Sequence, residues 1–406
     1  MNYNEFSNGT KIIDGDNSIA ELSTVLVGLN ASRVLVVVAE RLSDGGFVDT
    51  IKNAIEKSGR LSVGAIYLGN EASDGEDMLK DLYFVYMSNN CDAIVVCGDG
   101  KLIDFSKALK LLVATQIKDV KKFYTVADIA REVIYIPFIA IPLEFGSGSE
   151  TNSTAVVFDK EKGVSRNVTR GLLSPDYCIV DGELISGMDK AKTAYGVLEI
   201  FARAVDGYTV TSATPISIES LAKVYDDYIE LQTSAISDGF CQVALTGLKP
   251  YALDLLEAPT TAKYVKMETR SAYLSKGTDS SGLGLIQCVA QAIADVKKID
   301  YCKALPKAIK TVFSYNLDAC KERYARCLLF FAGWQMYSDC PIENRHNKFV
   351  EIAEEFIDAL REKYIGGEEI ELNDEEKQAV LNAMAYNANV LNNPRKFNSI
   401  AFKSLL

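Results

Sequence analysis

The stretch DAIVVCGDGKLIDFSKAL (residues 92–109) decides how the first half of the chain is read. Its opening seven residues, DAIVVCG, have the length and β-branched content of a buried strand. Gly98, Asp99 and Gly100 then turn the chain, and a helix opens at once. Strand, glycine turn and helix in succession form one unit of an α/β fold. Working outward, RVLVVVA (33–39), LSVGAIYL (61–68) and FIAIP (138–142) are further apolar runs of strand length. Between them GGFVDTIKNAIEKSG (45–59) and DMLKDLYFVYMSNN (77–90) carry helical periodicity. Short buried strands separated by helices predict a parallel sheet, with ligands bound beyond the carboxyl ends of the strands.

After about residue 186 the pattern changes. Helical spacing dominates over 189–208, 215–236, 248–257, 281–296, 318–338, 347–363 and 374–389. The expected organisation is an α/β nucleotide-binding domain over 1–186 and an all-α domain over 187–406. Pro306, Pro341 and Gly366-Gly367 are read as helix breaks or loops, and the single Trp334 as a core residue.

Composition narrows the functional classes. At 406 residues the chain is long enough for two cores. Its net charge of −12 argues against nucleic acid, which wants a basic surface. No run approaches the roughly 18 apolar residues of a membrane span, and the polar N-terminus lacks a signal-peptide plan. A cytoplasmic protein is expected, with no membrane partner. The nine cysteines are scattered with no CxxC pair, so buried reduced thiols are the expected state. Only one histidine is present, His346 in the polar stretch NRHNKF, where it reads as a surface residue. Any mechanism that needs a histidine cluster is excluded by counting.

Two glycine-rich loops carry candidate chemistry. In VVCGDGKLIDFSKAL, a helix N-terminus behind glycines is a place where backbone N–H groups attract phosphate. A plain tight turn explains that loop equally well. In IAIPLEFGSGSETNSTAVV (139–157), Ser147 and Ser149 flank Gly148 after a strand, which suits phosphate or ribose contacts. A hairpin turn with no ligand is the competing reading.

Together the loops resemble the GGGSxxDxAK and IPTTxGTGSE motifs of iron-containing alcohol dehydrogenases. LLSPDYCIVDGEL (172–184) is similar to that family's LLPDLAIVDPEL, and NNPRKFNSIAFKSLL (392–406) to its closing NPRPLTxEDIxxIL. The landmarks fall in family order and cover nearly the whole chain. The resemblance implies a dehydroquinate synthase-like fold and a nicotinamide cofactor in the cleft between an α/β and a helical domain. It also implies a small alcohol or aldehyde substrate and a homodimer. Carried over, Gly98, Asp99, Gly100, Lys101 and Asp104 would face the pyrophosphate and ribose. Ser147, Gly148 and Ser149 would face the nicotinamide side. Asp99 replaces a glycine and brings a negative charge near phosphate, which Lys101 would offset. Ala39 stands where an acidic residue disfavours NADP, and with Arg41 nearby the preference between NADH and NADPH tilts to NADPH.

The resemblance also implies a divalent metal held by one Asp and three His, and here it departs from the family. VLEIFARAVDGY (197–208) is similar to GxDALxHAIEAY, with Glu199 at the Asp position and Arg203 at the first His. Their i,i+4 spacing keeps both on one helix face. In GLIQCVAQAIADVKKIDYC (284–302), Gln287 takes a ligand His position, Gln291 a second active-site His, and Tyr301 the last ligand. Arginine stays protonated and is no ligand. No transition metal is expected. Arg203, held by Glu199, is a candidate electrophile in place of the metal, with Tyr301 or Lys303 as proton donor. The structural alternative is a salt bridge filling the vacated cavity. Three functions follow: a metal-free NAD(P)-dependent alcohol dehydrogenase or aldehyde reductase, a degenerate family member acting as a binding or scaffolding protein, or an enzyme that uses the loops for another phosphorylated ligand.

Overall fold

A computed structural model describes residues 9–43, 46–69, 75–124, 133–210, 236–279, 281–367 and 369–406. The helical segment expected at 215–236 therefore lies almost wholly outside the described residues. The chain divides into two units, Asn8–Met188 with Thr260–Ala272, and Asp189–Pro259 with Tyr273–Leu406.

Among its described residues the first unit is built on eight strands: β1 Lys11–Gly15, β2 Arg33–Ala39, β3 Ser62–Gly69, β4 Ala93–Gly98, β5 Phe138–Pro142, β6 Thr154–Asp159, β7 Val164–Thr169 and β8 Tyr177–Asp181. Six of them form a sheet in the order β1-β8-β5-β4-β2-β3, and every pairing in it is parallel. β6 and β7 pair separately as an antiparallel hairpin. The helices of this unit are α1 Leu22–Gly28, α2 Phe47–Glu56, α3 Glu76–Ser88, α4 Gly100–Thr115 and the short α5 Gly182–Ile185. The central strands β4 and β5 are buried along their whole length, which is why DAIVVCG and FIAIP read as continuous apolar runs instead of alternating ones.

α4 is enclosed too, with every residue from Leu102 to Thr115 buried. Such a helix must pair its ionisable groups internally. Lys110 does so through the Ser174 carbonyl at 3.0 Å, and burial brings its pKa down to about 8.

The second unit is helical among its described residues: α6 Lys190–Thr209, α7 Ile236–Leu245, α8 Leu248–Glu257, α9 Thr261–Thr278, α10 Leu285–Lys297, α11 Tyr301–Asn316, α12 Lys321–Ala332, α13 Trp334–Asp339, α14 Arg345–Leu360, α15 Asp374–Met384 and α16 Ser399–Lys403. α9 up to Ala272 counts with the sheet unit. An aromatic cluster of Phe201, Phe313, Phe331, Phe349 and Phe356 packs α6 against α11, α12 and α14, with ring centroids 4.9–6.4 Å apart.

Three local expectations need correcting. Pro306 lies inside α11 and does not break it. The missing N–H is outweighed by burial of Ala304, Leu305, Ala308, Ile309, Val312 and Phe313 along the same helix. The segment 318–338 is two helices, because Gly333 takes a left-handed backbone (φ 86°) that cannot continue α12. Trp334, just beyond that turn, is 69% exposed and not a core residue. It opens the six-residue α13, none of whose residues is buried, and its ring lies 6.1 Å from Tyr337.

The cysteines follow the sequence reading: all nine are free, and seven are buried. Among the described residues no helix is long and apolar enough to cross a membrane.

Candidate active site

In the sheet unit the site is assembled at the carboxyl edge of the parallel strands. Cys97 pairs with Val38 on one side and Ile141 on the other, and Gly98 pairs with Pro142. The ends of β2, β4 and β5 therefore lie side by side and deliver Ala39, Gly98 and the loop from Leu143 together. The chain reverses its strand order here, running from β2 outward to β3 and then back to β4 beside β2. Open α/β sheets bind ligands at such a switch point.

The two glycine loops meet. A Cβ built on Gly100 would fall 2.5 Å from Ser147 Cβ and 2.6 Å from its Oγ. Only glycine permits this approach. Gly146 and Gly148 hold the second loop with left-handed backbones (φ 114° and 71°). That loop is pinned at both ends, where the Gly146 N–H donates to Ser271 Oγ at 3.1 Å and Thr151 Oγ1 donates to the Ala272 carbonyl at 3.0 Å. Ser147 Oγ accepts the Ser149 N–H at 3.3 Å and donates to Glu150 at 3.4 Å.

Asp99 is the N-cap of α4, and its carboxylate accepts the Leu102 N–H at 2.8 Å. The Asp99 carboxylate thus sits on the helix N-terminus itself. Lys101 is exposed, with its ammonium 5.8 Å from the Phe105 ring. Asp104 faces inward: it is 5% exposed and accepts the Val156 N–H at 3.0 Å. Burial pushes its carboxyl up to about 6, while the Lys107 ammonium works in the opposite direction. Lys107 is wholly buried and donates to Asn152 Oδ1 at 2.7 Å and the Thr154 carbonyl at 2.9 Å, with Asp104 3.7 Å away. Asp104 and Lys107 therefore bind α4 to the second loop and the strand after it. Arg41 forms a 3.0 Å ion pair with Glu144, linking the segment after β2 to the segment after β5. Sequence reading did not single out Asn152, Thr154 or Glu144, which lie far along the chain from their partners.

In the helical unit Glu199, Arg203, Gln287 and Tyr301 come together. Tyr301 OH donates to Gln287 Oε1. Burial, then the neighbouring Glu199 carboxylate, pushes the Tyr301 phenol well above its ordinary range, while Arg203 opposes the shift. Cys302 Sγ donates to Glu199 Oε2 at 3.8 Å. Arg203 and Glu199 on α6 are 2% and 8% exposed. Gln291 instead donates to Asp295 on its own helix at 3.2 Å, and Lys303 is exposed.

This donor set does not suit a transition metal. It offers one carboxylate, a permanently protonated guanidinium, an amide oxygen already bonded to a phenol, and that phenol held protonated. Among the described residues no group of three or more His, Cys, Asp or Glu is placed to hold a metal ion. One residue outside the expected set also belongs to this cluster. Asp206, on α6, accepts backbone N–H groups from Gly284, Ile286 and Gln287.

A parallel-sheet unit with a glycine turn at its carboxyl edge, and a helical unit on the same chain, are the elements of a dehydroquinate synthase-like fold. The family model of the iron-containing alcohol dehydrogenases matches residues 9–182 of this chain. The chain is 25% identical over 315 residues to the NAD-dependent methanol dehydrogenase of Bacillus methanolicus, a match covering 77% of this chain and 75% of that one. It is 27% identical over 241 residues to the probable alcohol dehydrogenase EutG of Escherichia coli K12, covering 59% of this chain and 55% of that one. Among solved structures, a 1,3-propanediol oxidoreductase superposes with a TM-score of 0.84 at 18% identity, over 100% of this chain and 99% of that one.

Proposed function

We propose that the protein is a nicotinamide-dependent oxidoreductase that interconverts a small alcohol and its aldehyde without the family's divalent metal. Residues 1–186 bind the nucleotide and 187–406 carry the chemical centre. The observation that carries this reading is the packed Gly100–Ser147 contact, which joins the two nucleotide loops into one surface at the switch point. Gly98, Asp99, Gly100 and Lys101 would hold the diphosphate. Ser147, Gly148 and Ser149 would hold the nicotinamide end, with Asp104 bracing the loop from within. Bound there, the cofactor supplies the hydride. NADPH is favoured over NADH, because no acid stands at Ala39 and Arg41 is close by. A 2′-phosphate would take Arg41 in place of Glu144.

Arg203 serves as the electrophile. A buried guanidinium places fixed positive charge where negative charge grows on the substrate oxygen, and needs no reorganisation to do so. Glu199 orients it from one turn earlier on α6. Tyr301 carries a proton on its phenol oxygen, and an alkoxide is basic enough to take it even from a phenol whose pKa is raised by burial. Lys303, on α11, faces solvent and takes no part in that transfer.

The test is a calorimetric titration with NADPH and then NADH after chelation, with metal content assayed beforehand, followed by a panel of aldehydes. Metal-free binding and turnover that chelators leave unchanged are expected, with turnover lost in Arg203→Ala. An active Arg203→Ala enzyme refutes the electrophile role. The second reading, a degenerate member acting as a binding or scaffolding protein, draws on the Asp99 carboxylate at the phosphate loop. Failure to bind either nucleotide would favour it. Self-association as a homodimer belongs to the proposal and is checked by sedimentation equilibrium.

A further inference from the structure

Asp206 stands one turn beyond Arg203 on α6 and is 2% exposed. Its Oδ2 accepts the N–H of Gly284 at 2.8 Å and of Gln287 at 3.3 Å, and its Oδ1 accepts the N–H of Ile286 at 3.1 Å. These amides belong to the N-cap and first turn of α10, where a helix has no carbonyls of its own to offer them. The N-cap residue is Gly284, which has no side chain with which to close that end. Asp206 does so from another helix. A Cβ on Gly284 would lie 2.7 Å from Asp206 Oδ1, so the glycine is what admits the carboxylate.

One of the three donors is the backbone of Gln287, the residue whose side chain accepts the Tyr301 hydroxyl. A change at Asp206 therefore reaches Tyr301 through a single residue. We propose that Asp206 is a positioning residue: by clamping the first turn of α10 it sets the Gln287–Tyr301 hydrogen bond and so fixes where the Tyr301 proton is held. The consequence for turnover rests on the oxidoreductase reading above; the positioning itself does not.

The test places 3-fluorotyrosine at position 301 of the full-length protein and reads its fluorine resonance. Gln287→Leu, which lacks the acceptor, gives the reference for a broken bond. In Asp206→Ala the resonance is expected to move toward that reference. Asp206→Asn, which keeps an acceptor oxygen, restores it most of the way. Gly284→Ala, which pushes on the carboxylate from the other side, moves it in the same direction as Asp206→Ala. A folded Asp206→Ala protein with a wild-type resonance overturns the proposal. If that variant fails to fold, an unmoved resonance in folded Gly284→Ala overturns it. Where aldehyde turnover is measurable, kcat falls about tenfold or more in Asp206→Ala with the KM for nucleotide unchanged, because misplacing a reacting group costs rate and not binding. A moved resonance in a protein with no turnover on any aldehyde leaves the clamp standing and removes the oxidoreductase reading. Turnover with an unmoved resonance does the reverse.

Discussion

Replacing Lys107 by methionine should destabilise the sheet unit by about 3 kcal/mol, and the figure follows from its surroundings. The ammonium is wholly buried and donates to Asn152 Oδ1 at 2.7 Å and the Thr154 carbonyl at 2.9 Å, with the Asp104 carboxylate at 3.7 Å. Methionine fills a similar volume, so the cavity contribution is small. What is lost is two charge-assisted hydrogen bonds and the counter-charge of a buried anion, and breaking such a pair costs about 3–5 kcal/mol. The loss should fall at the low end, because Asp104 can escape by taking a proton. Its carboxyl already stands at about 6, and removing Lys107 raises it further. The single variant should therefore lower the urea midpoint by roughly 1 M for an m-value of about 3 kcal/mol per M. The deficit should be larger at pH 8 than at pH 5, where Asp104 is more easily protonated. Adding Asp104→Asn removes the stranded charge while keeping an acceptor for the Val156 N–H, so the double variant should be at least as stable as Lys107→Met at pH 8. Lys107→Met within 1 kcal/mol of wild type, or a double variant clearly less stable than the single, would refute the reasoning.

Asp104→Asn alone should change the pH dependence of stability. With the folded carboxyl at about 6 and the ordinary value at 3.8, the fold favours the protonated acid. The cost of ionisation is absent below about 3.8, grows through that window, and is complete above about 6, where it is on the order of 3 kcal/mol. Wild type should therefore gain stability relative to Asp104→Asn as pH falls from 8 to 5, and parallel denaturation profiles of the two would contradict this. Gly100→Ala should weaken NADPH or NADH binding at least tenfold and cost about 1–3 kcal/mol of stability, since its Cβ cannot coexist with the present position of Ser147. Unchanged titration curves would mean the loops are not joined as described. Asp99→Asn keeps an N-cap acceptor but removes the charge, so dinucleotide affinity should rise about tenfold at low salt and the gain should shrink at high salt. Equal affinity at both salt concentrations would show that this carboxylate does not face phosphate.

The strands of the sheet were legible because each signal is local. RVLVVVA, DAIVVCG and FIAIP are continuous apolar runs of the kind that can only be buried on both faces, and they became β2, β4 and β5. Glycines 146 and 148 marked a turn through their left-handed backbones, and Gly98 and Gly100 marked places where Leu102 and Ser147 approach too closely for a Cβ. That Glu199 and Arg203 share one face of α6 followed from the helical spacing alone. Partner choice was not legible. That Lys107 belongs to Asn152 and Thr154, Arg41 to Glu144, and Asp206 to the start of α10 depends on which elements pack together, and no spacing along the chain encodes it. Pro306 and Trp334 were misread because their fates are set by neighbours: burial along α11 tolerates a proline, and the turn at Gly333 carries an indole into solvent. The sequence carried the positions of the sheet strands and of the glycine turns between the loops, and its one histidine cannot furnish three histidine ligands to a metal. Only the tertiary structure decided which buried charges are paired and which residue holds which proton, because those energies depend on contacts between segments 45–100 residues apart or more.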